Sequence, residues 1–541
     1  MAKEIFVTTS LPYANGPLHL GHLLENVQAD IWVRFQRSMG NKCVFVSGND
    51  AHGSAIMLSA EKQGITADEW VEFIASQHRA DLFDFGISFD IMQSTRSAAN
   101  ASMVEHMYQR LQHAGCFANR PIQQLYDASK LMFLPDRFVK GACPRCGVSD
   151  QYGDNCEVCG ATYAATELLE PYSVLSKTVP ELRQSEHVFF LLSQCQHPLM
   201  QWLTTAQLQE PVRNKLREWF EFGLKDWDVS RDAPYFGFLI PGYKDKYFYV
   251  WLDAPIGYLS GLQTYSQQQG DDLFTKIFVE PESLWEIHHF IGKDIIYFHG
   301  LFWPAMLQAA GYRPPTSLHA HGFLSIEGSK MSKSRGSFIT IRDYLQQLSP
   351  EYIRYYFASK LADSVADLDF SWQDCAQRCN AELIGKIINV GSRSCCFIHK
   401  YFKGQLSSSV HDERLWQKFV QAKTTICAHY EAKRFSQVVR EVIGLADLAN
   451  RYIDQHKPWQ AVKEHGASAE VHAVVSMGMH LFRLMILYLQ PILPDTADKV
   501  AHIFQQESLD WAVSDTPLVD AQLTAFPRLL ERLDVQKNPF A

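Results

Sequence analysis

The N-terminal segment follows the order strand, loop, helix, strand, and no other feature of the sequence constrains the fold more. Residues 5–9 are rich in strand-forming side chains and precede a turn-forming stretch. We predict a helix over about residues 20–38 and a second, buried strand over residues 43–46. Strands that alternate with helices at this spacing indicate an α/β fold with a doubly wound parallel sheet. Ligands bind beyond the carboxyl ends of such strands, which makes loops 10–16 and 48–53 candidate site segments.

The alternation of strands and helices is lost near residue 116 and returns near residue 231. Strand-like runs reappear at residues 246–251 and 288–291, so two halves of one domain are predicted to flank an insertion. Beyond about residue 380 apolar residues recur at helical intervals, and the chain is predicted to be helical throughout. The predicted regions are the first half of the α/β domain (1–116), the insertion (117–230), the second half of the α/β domain (231–322), a region with a basic loop (323–380) and an α-helical bundle (381–541).

Four of the twelve cysteines stand at the spacing of metal ligands, C-x2-C-x9-C-x2-C. They are Cys143, Cys146, Cys156 and Cys159. Four thiolates form the closed tetrahedral shell of structural zinc, with no open position for chemistry. We therefore predict one structural Zn²⁺ that stiffens the insertion away from the catalytic centre. A chance grouping, or two disulfides, remains the alternative at this stage.

Charge and hydropathy limit the classes of partner. The formal net charge is −9, so contact with a polyanion would need local basic patches. The N-terminus lacks the pattern of a secretory signal. The most apolar stretch, residues 473–489, contains Arg483 and precedes Pro491, which fits a buried core helix better than a membrane span. We predict a cytoplasmic location without membrane contact.

Two short segments carry groups suited to a nucleotide. His19-Leu20-Gly21-His22 opens the first predicted helix, where free N–H groups and the helix dipole attract phosphate. Lys330-Met-Ser-Lys333-Ser lies between glycines, and its cations suit a triphosphate that is gripped and then released. Taken singly, each segment has an ordinary alternative: helix-capping or surface histidines for the first, and a solvated basic loop for the second.

Taken together, these segments resemble the two hallmark motifs of class I aminoacyl-tRNA synthetases. Further segments resemble the methionyl-tRNA synthetase family, from about residue 5 to beyond residue 459. They are LPYANGPLHLGH (11–22), DAHG (50–53), residues 133–140, the four-cysteine segment, SRDAPYFG (230–237), YVWLDAPIGY (249–258), FIGKD (290–294) and KMSKSRG (330–336). The resemblance implies a Rossmann-like doubly wound parallel sheet split by a zinc-containing insertion and followed by a C-terminal α-helical bundle domain.

The resemblance also implies an activity and a set of site residues. The family ligates L-methionine to tRNA(Met) with ATP and Mg²⁺, through a methionyl-adenylate. His19 and His22 are expected to hold phosphates, Lys333 to neutralise the leaving pyrophosphate and Lys330 to support it; Tyr13 and Gly21 complete the ATP-binding set. The expected methionine-binding residues are Ser10, Leu11, Tyr13, Asp50, Trp251, Ala254, Pro255, Tyr258, Ile295 and His299, and the expected anticodon-binding residues are Asn389, Arg393 and Trp459.

The sequence departs from the family at two points, and two other functions remain possible on the sequence alone. The family usually has alanine where Ser10 stands, a small change that we expect to be tolerated. Many relatives carry an appended oligonucleotide-binding module that often dimerises; this sequence ends at Ala541, so we expect a monomer. The rivals are a class I synthetase for leucine, isoleucine, valine or cysteine, and a non-catalytic tRNA-binding relative.

Overall fold

The central element of the protein, seen in a computed structural model, is a six-stranded parallel sheet. The structure describes residues 2–153, 156, 158–159, 161, 163–330 and 338–540, with the side chain of Lys330 excluded. The strands of the sheet are, in spatial order, Gln207–Leu208, Ser317–His321, Glu286–Gly292, Glu4–Thr9, Lys42–Asn49 and Ile91–Ser94. The predicted α/β fold with a doubly wound parallel sheet is confirmed.

The order of the strands reverses at Glu4–Thr9. This strand pairs in parallel with Lys42–Asn49 on one side and with Glu286–Gly292 on the other, although the two neighbours lie far apart in sequence. A crevice therefore opens beyond its carboxyl end, at the point where ligands bind in sheets of this kind. Both predicted loop segments lie at that edge.

Helices cover both faces of the sheet. Leu20–Ser38 packs on the sheet through apolar side chains that include Leu24, Ile31 and Trp32, all at most 1% exposed. The other helices before the bundle are Ser54–Gln63, Ala67–Asp84, Ala98–His113, Gln196–Thr205, Glu210–Phe222, Val250–Gln269, Trp303–Ala309, Ile341–Gln347, Pro350–Lys360 and Trp372–Arg378. One-turn 3₁₀ or π segments are Asp136–Phe138, Ala165–Glu167, Leu192–Cys195, Thr275–Val279, Lys293–Ile295 and Phe298–Phe302.

The strand predicted over residues 246–251 is shorter than expected. The strand Lys246–Phe248 pairs with Ser230–Asp232, and the chain enters the helix Val250–Gln269 two residues later. The sequence signal was ambiguous because the first three residues of this helix, Val250, Trp251 and Leu252, are apolar and continue the run that begins in the strand.

The insertion forms two antiparallel sheets. One has the order Trp227–Asp228, Glu181–Phe190, Phe117–Asp127, Met132–Phe133, and the other Gln151–Tyr152, Val139–Ala142, Leu169–Ser173. The two-residue strand Gln207–Leu208 leaves the insertion and joins the edge of the parallel sheet through Ser317–His321. A third small sheet, Ser329–Lys330, Leu324–Ile326, Leu368–Phe370, follows the last parallel strand.

The C-terminal third is a helical bundle closed by an extended segment. Its helices are the π segment Cys379–Ile388 and the α-helices Asn389–Phe402, Glu413–Glu431, Phe435–His456, Pro458–His465, Ala469–Leu489 and Pro494–Ile503. Within the described residues Ala469–Leu489 has the length and composition of a membrane span, but 89% of its apolar window is buried inside the protein. It is the core helix expected for residues 473–489.

The prediction of helix throughout residues 381–541 is wrong after residue 503. Residues 504–540 form no helix and run back over the preceding domain. There the hydroxyl of Tyr352 donates to the carbonyl of Glu531 (2.8 Å) and the amide of Asn380 donates to that of Leu533 (2.7 Å). Prolines at positions 517, 527 and 539 oppose helix locally because proline removes a helical hydrogen bond, and the contacts with Tyr352 and Asn380 hold the segment against the preceding domain.

Candidate active site

A cavity of about 610 Å³ lies at the carboxyl ends of the central strands. Its walls come from the loops after four strands of the parallel sheet, from the first turn of Leu20–Ser38 and from the insertion. The side chains that line it include Tyr13, His19, His22, Glu25, Asp50, Arg231, Tyr249, Trp251, Ile295 and His321. The predicted ATP-binding residues Tyr13, His19, Gly21 and His22 all line this cavity.

The two histidines of the first helix present hydrogen-bond donors. Nδ1 of His19 accepts from the N–H of Gly21 (3.1 Å), and Nδ1 of His22 accepts from the N–H of His19 (3.2 Å). Burial holds the pKa of His22 well below its ordinary value, so this ring is neutral. A neutral imidazole whose Nδ1 accepts carries its proton on Nε2. The cap of the helix thus fixes the tautomer that donates from Nε2.

The chain that follows the basic loop is attached to the same helix. The N–H of Leu20 donates to the carbonyl of Ile339 (3.2 Å), and His19 forms a β-bridge with Thr340. The ring of Phe338 lies edge-on to His19 with 5.2 Å between centroids. Lys333 lies outside the described residues, as does the side chain of Lys330. Of the described segments on either side of them, Ser329–Lys330 pairs with Leu324–Ile326, whose first residue lines the cavity, and residues 338–340 contact His19.

A smaller pocket of about 90 Å³ opens beside the large cavity. Its lining contains every predicted methionine-binding residue except Tyr13, which lines the large cavity instead. Side chains not predicted from the sequence close its inner end: Phe298, Phe302, Trp303 and Met306. They come from the π segment and the helix that follow the FIGKD segment. Their spacing is that of ordinary core packing, so periodicity alone does not identify them as pocket residues.

Asp50 lies where the large cavity and the small pocket meet. Its side chain is buried, and Oδ1 has no hydrogen-bond partner among the described residues. Burial raises the pKa of Asp50 well above its usual value, and the neighbouring Asp253 raises it further. Asp253 in turn lies 2.6 Å from Nδ1 of the buried His52. A buried carboxylate oxygen without a partner is suited to a cationic ligand group.

Tyr258 and His299 form a directed pair at the side of the small pocket. Nδ1 of His299 lies 3.2 Å from the carbonyl of Ile295, and Nε2 lies 3.0 Å from the hydroxyl of Tyr258. Burial lowers the pKa of His299 to about 4, so the ring is neutral at pH 7. The carbonyl can only accept; Nδ1 therefore carries the proton, and the hydroxyl of Tyr258 donates to Nε2.

Ser10 makes a specific contact through the hydroxyl that distinguishes it from alanine. Its N–H and its hydroxyl both donate to Oε1 of Glu25, at 2.7 and 2.5 Å. The other oxygen of Glu25 lies 3.4 Å from Nε2 of His321, a residue of the last parallel strand. The serine therefore adds a hydrogen bond across the base of the cleft. Glu25 and His321 were not predicted as site residues, because neither belongs to a short recognisable motif.

The four predicted zinc ligands converge. All their sulfur atoms lie within 4.8 Å of one another. Sγ of Cys143 is 3.7 Å from that of Cys159, and Sγ of Cys146 is 3.6 Å from that of Cys156. A zinc ion with four sulfurs at about 2.3 Å requires sulfur atoms about 3.8 Å apart, whereas a disulfide requires about 2.05 Å. The disulfide alternative is therefore wrong, and the cluster has the dimensions of a zinc site.

Backbone groups prepare this cluster for a metal. The N–H groups of Arg145 and Cys146 point at Sγ of Cys143, at 3.4 and 3.5 Å. Burial opposes ionisation of the Cys143 thiol, but these donors prevail and lower its pKa to about 6. A thiolate is the form that binds metal.

The predicted anticodon-binding residues lie on the bundle, remote in sequence from the cleft. The guanidinium of Arg393 stacks on the ring of Trp459, 4.7 Å from its centroid. Arg393 is exposed and Trp459 is half-buried. Asn389 lies one helical turn before Arg393 and borders a groove shared with Phe526 and Arg528. A stacked guanidinium beside an indole and an amide is chemistry suited to unpaired bases.

Comparison with known families and structures agrees with these features. The family model described as tRNA synthetases class I (M) matches residues 5–395. A second model, the anticodon binding domain of methionyl tRNA ligase, matches residues 405–529. The two matches together cover the parallel sheet, the insertion and most of the bundle.

Among solved structures the chain is similar to Mycobacterium tuberculosis methionyl-tRNA synthetase. The complex of that protein with methionyl-adenylate superposes with a TM-score of 0.81 at 23% identity, covering 97% of this chain and 100% of that one. Its apo form gives a TM-score of 0.73 at 21% identity and covers 99% of each chain. At this level of identity, the superpositions establish a shared fold.

Proposed function

The chain belongs to the class I tRNA synthetases of the methionine type, and on this premise we propose which of its residues carry out the reaction. It is a methionine–tRNA ligase: ATP and methionine form methionyl-adenylate with release of pyrophosphate, and the methionyl group is then transferred to tRNA. The observation that carries the assignment of residues is the buried oxygen of Asp50, which has no hydrogen-bond partner in the described part of the chain and lies between a cavity lined with many polar and charged side chains and an apolar pocket. An amino acid can place its ammonium group at this oxygen, its side chain in the pocket and its carboxylate in the cavity.

Methionine binds with its side chain in the small pocket. The ammonium pairs with Asp50, while Leu11, Trp251 and Ile295 provide apolar walls for the thioether. The hydroxyl of Tyr258 and the ring of His299 lie at the side of this pocket; their protons are held by each other and by Ile295, so the pair forms a fixed polar edge beside the thioether and does not donate to the sulfur. The carboxylate then faces the large cavity, where the α-phosphorus of ATP receives its attack.

The triphosphate lies at the first turn of Leu20–Ser38. Nε2 donors of His19 and His22 and the dipole of this helix stabilise charge that develops on the phosphates. Lys333 neutralises the leaving pyrophosphate, with Lys330 in support, and Mg²⁺ accompanies the nucleotide. The positions of the flanking segments, bridged to His19 at Thr340, support this assignment.

Zinc holds the four-cysteine segment together and takes no part in the chemistry. The sulfur distances fit a tetrahedral shell with no open position, as in structural sites. Metal analysis of the purified protein should give one zinc per chain. Replacement of Cys146 by serine should lower the zinc content and leave the cavity residues unchanged.

The bundle selects the tRNA. Arg393 and Trp459 offer a stacking surface and Asn389 offers an amide for base edges, which supports recognition of the anticodon of tRNA(Met). The cytoplasmic location, the absence of membrane contact, the monomeric state and the proposed domain boundaries stay predictions.

Methionine-dependent exchange of pyrophosphate into ATP, across a panel of amino acids, tests the proposal. We expect exchange with methionine and far less with leucine, isoleucine, valine or cysteine. Strong exchange with one of these instead would point to a different synthetase, and no exchange at all would point to a non-catalytic tRNA-binding relative. Asp50→Asn should lower methionine-dependent exchange severely, and unchanged exchange in this variant would overturn the assignment of the ammonium site.

A further inference from the structure

A buried network of charged side chains joins the insertion to the wall of the cleft. His187 lies on the insertion strand Glu181–Phe190 and is fully buried. Its Nδ1 is 2.8 Å from a carboxylate oxygen of Asp228, and its Nε2 is 2.9 Å from one of Asp232. Neither the motifs nor the proposed reaction uses this histidine.

The geometry determines the charge of His187. A neutral imidazole has one N–H and one lone pair, so in the neutral form one of the two carboxylates would face a lone pair. The imidazolium has two N–H groups and satisfies both. Burial disfavours the charged ring, but the hydrogen bonds to Asp228 and Asp232 prevail and raise the pKa of His187 above its ordinary value.

The strands packed around His187 carry three further charged side chains that could affect it. Lys246, on the strand paired with Ser230–Asp232, contacts Asp232 and donates to the hydroxyl of Ser185 (2.6 Å). Arg120 lies opposite His187 on the neighbouring strand, but its guanidinium pairs with Asp226. Arg231 lies between the two aspartates in sequence, 3.6 Å from Asp228.

Arg231 connects this network to the site. Its guanidinium stacks on the ring of Tyr249, 3.8 Å from the centroid, and both residues line the large cavity. The backbone that carries Arg231 is fixed on either side by Asp228 and Asp232, the two partners of His187. Arg231 is therefore a cation of the cleft wall whose position depends on the network behind it.

We infer that His187 is a positioning residue: as an imidazolium bridging Asp228 and Asp232, it holds Arg231 in the cleft, toward the anionic groups of the substrates. The inference rests on the proposed function only for the identity of those substrates. Displacement of a positioned group by about 1 Å costs up to about 100-fold in rate. Loss of the bridge should act through Arg231 and not through the overall fold.

The test compares His187→Gln with His480→Gln, both made in the full chain. Glutamine donates from one nitrogen only and cannot bridge two carboxylates as an imidazolium does. His480 is a matched control because it is also fully buried but lies in the core helix of the bundle. We expect His187→Gln to lower kcat/KM for pyrophosphate exchange by about 10- to 100-fold, while His480→Gln leaves it within about twofold.

A double-mutant cycle with Arg231→Gln separates positioning from general stability. If His187 acts through Arg231, the His187 substitution should cost little more in exchange once Arg231 has been replaced. Equal losses in the presence and absence of Arg231 would overturn the inference. The wild-type protein in the same assay reports on the proposed function separately.

The pH profile gives a second readout. Because the pKa of His187 is raised by folding, its bridge is complete below the ordinary histidine value of about 6.5 and is lost as pH rises through the folded pKa. Pyrophosphate exchange by the wild-type protein should therefore decrease as pH rises through this pKa. The decrease should be absent in His187→Gln. The protection factors of the amides of residues 227–232, which correct for the intrinsic rise of hydrogen exchange with pH and need no substrate, should fall over the same pH range. Protection that stays constant with pH would overturn the inference.

Discussion

The proposed catalytic cleft and the proposed anticodon surface are built in opposite ways. In the cleft, hydrogen bonds within the protein fix the tautomers of His22 and His299, and one oxygen of Asp50 is buried with no partner among the residues that the structure describes. On the bundle, Arg393 is exposed and rests on the half-buried Trp459. A small ligand that must be told from close analogues is met by buried, preorganised polar groups, whereas bases of an RNA are met by stacking faces open to solvent.

The largest effect should follow from removal of the charge in the cleft. Asp50→Asn leaves the substrate ammonium buried without a counter-charge, and loss of one partner of a buried ion pair is worth about 4 kcal/mol. We expect kcat/KM for methionine in pyrophosphate exchange to fall by about 1,000-fold. Asp127→Asn, a buried aspartate of the insertion, should leave it nearly unchanged. Equal losses of kcat/KM in both variants would show that the effect is not specific to the cleft.

The raised pKa of Asp50 adds a pH dependence with a defined sign. In the free protein burial favours the protonated acid, whereas methionine binds to the carboxylate. Methionine affinity should therefore increase as pH rises through this pKa and level off above it. Calorimetry at several pH values should also detect a proton released on binding, which Asp50→Asn should not show.

The next effect concerns the basic loop. Lys333→Ala removes a cation from the leaving pyrophosphate and should slow adenylate formation by about 100-fold, the cost typical of a lost transition-state donor. Methionine binding, measured by calorimetry, should change little. A parallel loss of binding and rate would show that Lys333 does not act mainly in the transition state.

A smaller effect is expected on the bundle, and only in the second step. Base stacking on an aromatic ring contributes about 1–3 kcal/mol, so Trp459→Ala should reduce tRNA charging by about 30-fold. Trp459→Phe keeps a stacking face and should retain most of the charging activity. Pyrophosphate exchange should be intact in both variants. Collapse of exchange would show that Trp459 supports the fold of the cleft, and the division between the two regions would fail.

The smallest effect tests the polar pair Tyr258 and His299 at the side of the methionine pocket. Tyr258→Phe removes the hydroxyl that donates to His299 (3.0 Å). One neutral hydrogen bond contributes about 1 kcal/mol, so KM for methionine should rise about fivefold. Tyr488→Phe removes a buried hydroxyl in the bundle and is the matched control. No change in Tyr258→Phe would leave recognition of the thioether to the apolar walls alone.

The sequence predicted those parts of the site in which chemistry and position coincide in a short segment. His19, Gly21 and His22 open a helix directly after a strand, and both features are visible in the residue order. The four cysteines are recognisable as metal ligands from their spacing in the sequence alone. Asp50 follows a strand, and its place at the sheet edge could be inferred from the topology of parallel strands alone.

The parts that were missed depend on tertiary proximity. Phe302 and Met306 have the spacing of core residues, and only the fold shows which of their faces borders an empty space. His187 reaches Asp228 and Asp232 across strands separated by some forty residues of sequence, so no local pattern joins them. The extended segment 504–540 takes its conformation from the domain on which it packs.

The helix Leu20–Ser38 reaches from the nucleotide end of the cleft to the bundle. At its midpoint the buried Asp30 pairs with Arg354 (2.7 Å), whose guanidinium also donates to the carbonyls of Pro491 and Ile492 beside the core helix. With a rise of 1.5 Å per residue, this helix is a rod about 28 Å long. A shift of the bundle when it binds an anticodon stem would therefore be transmitted to the middle of this helix, and His19 and His22 lie at its N-terminal end. This helix thus connects the two regions to which we assign amino-acid activation and anticodon recognition.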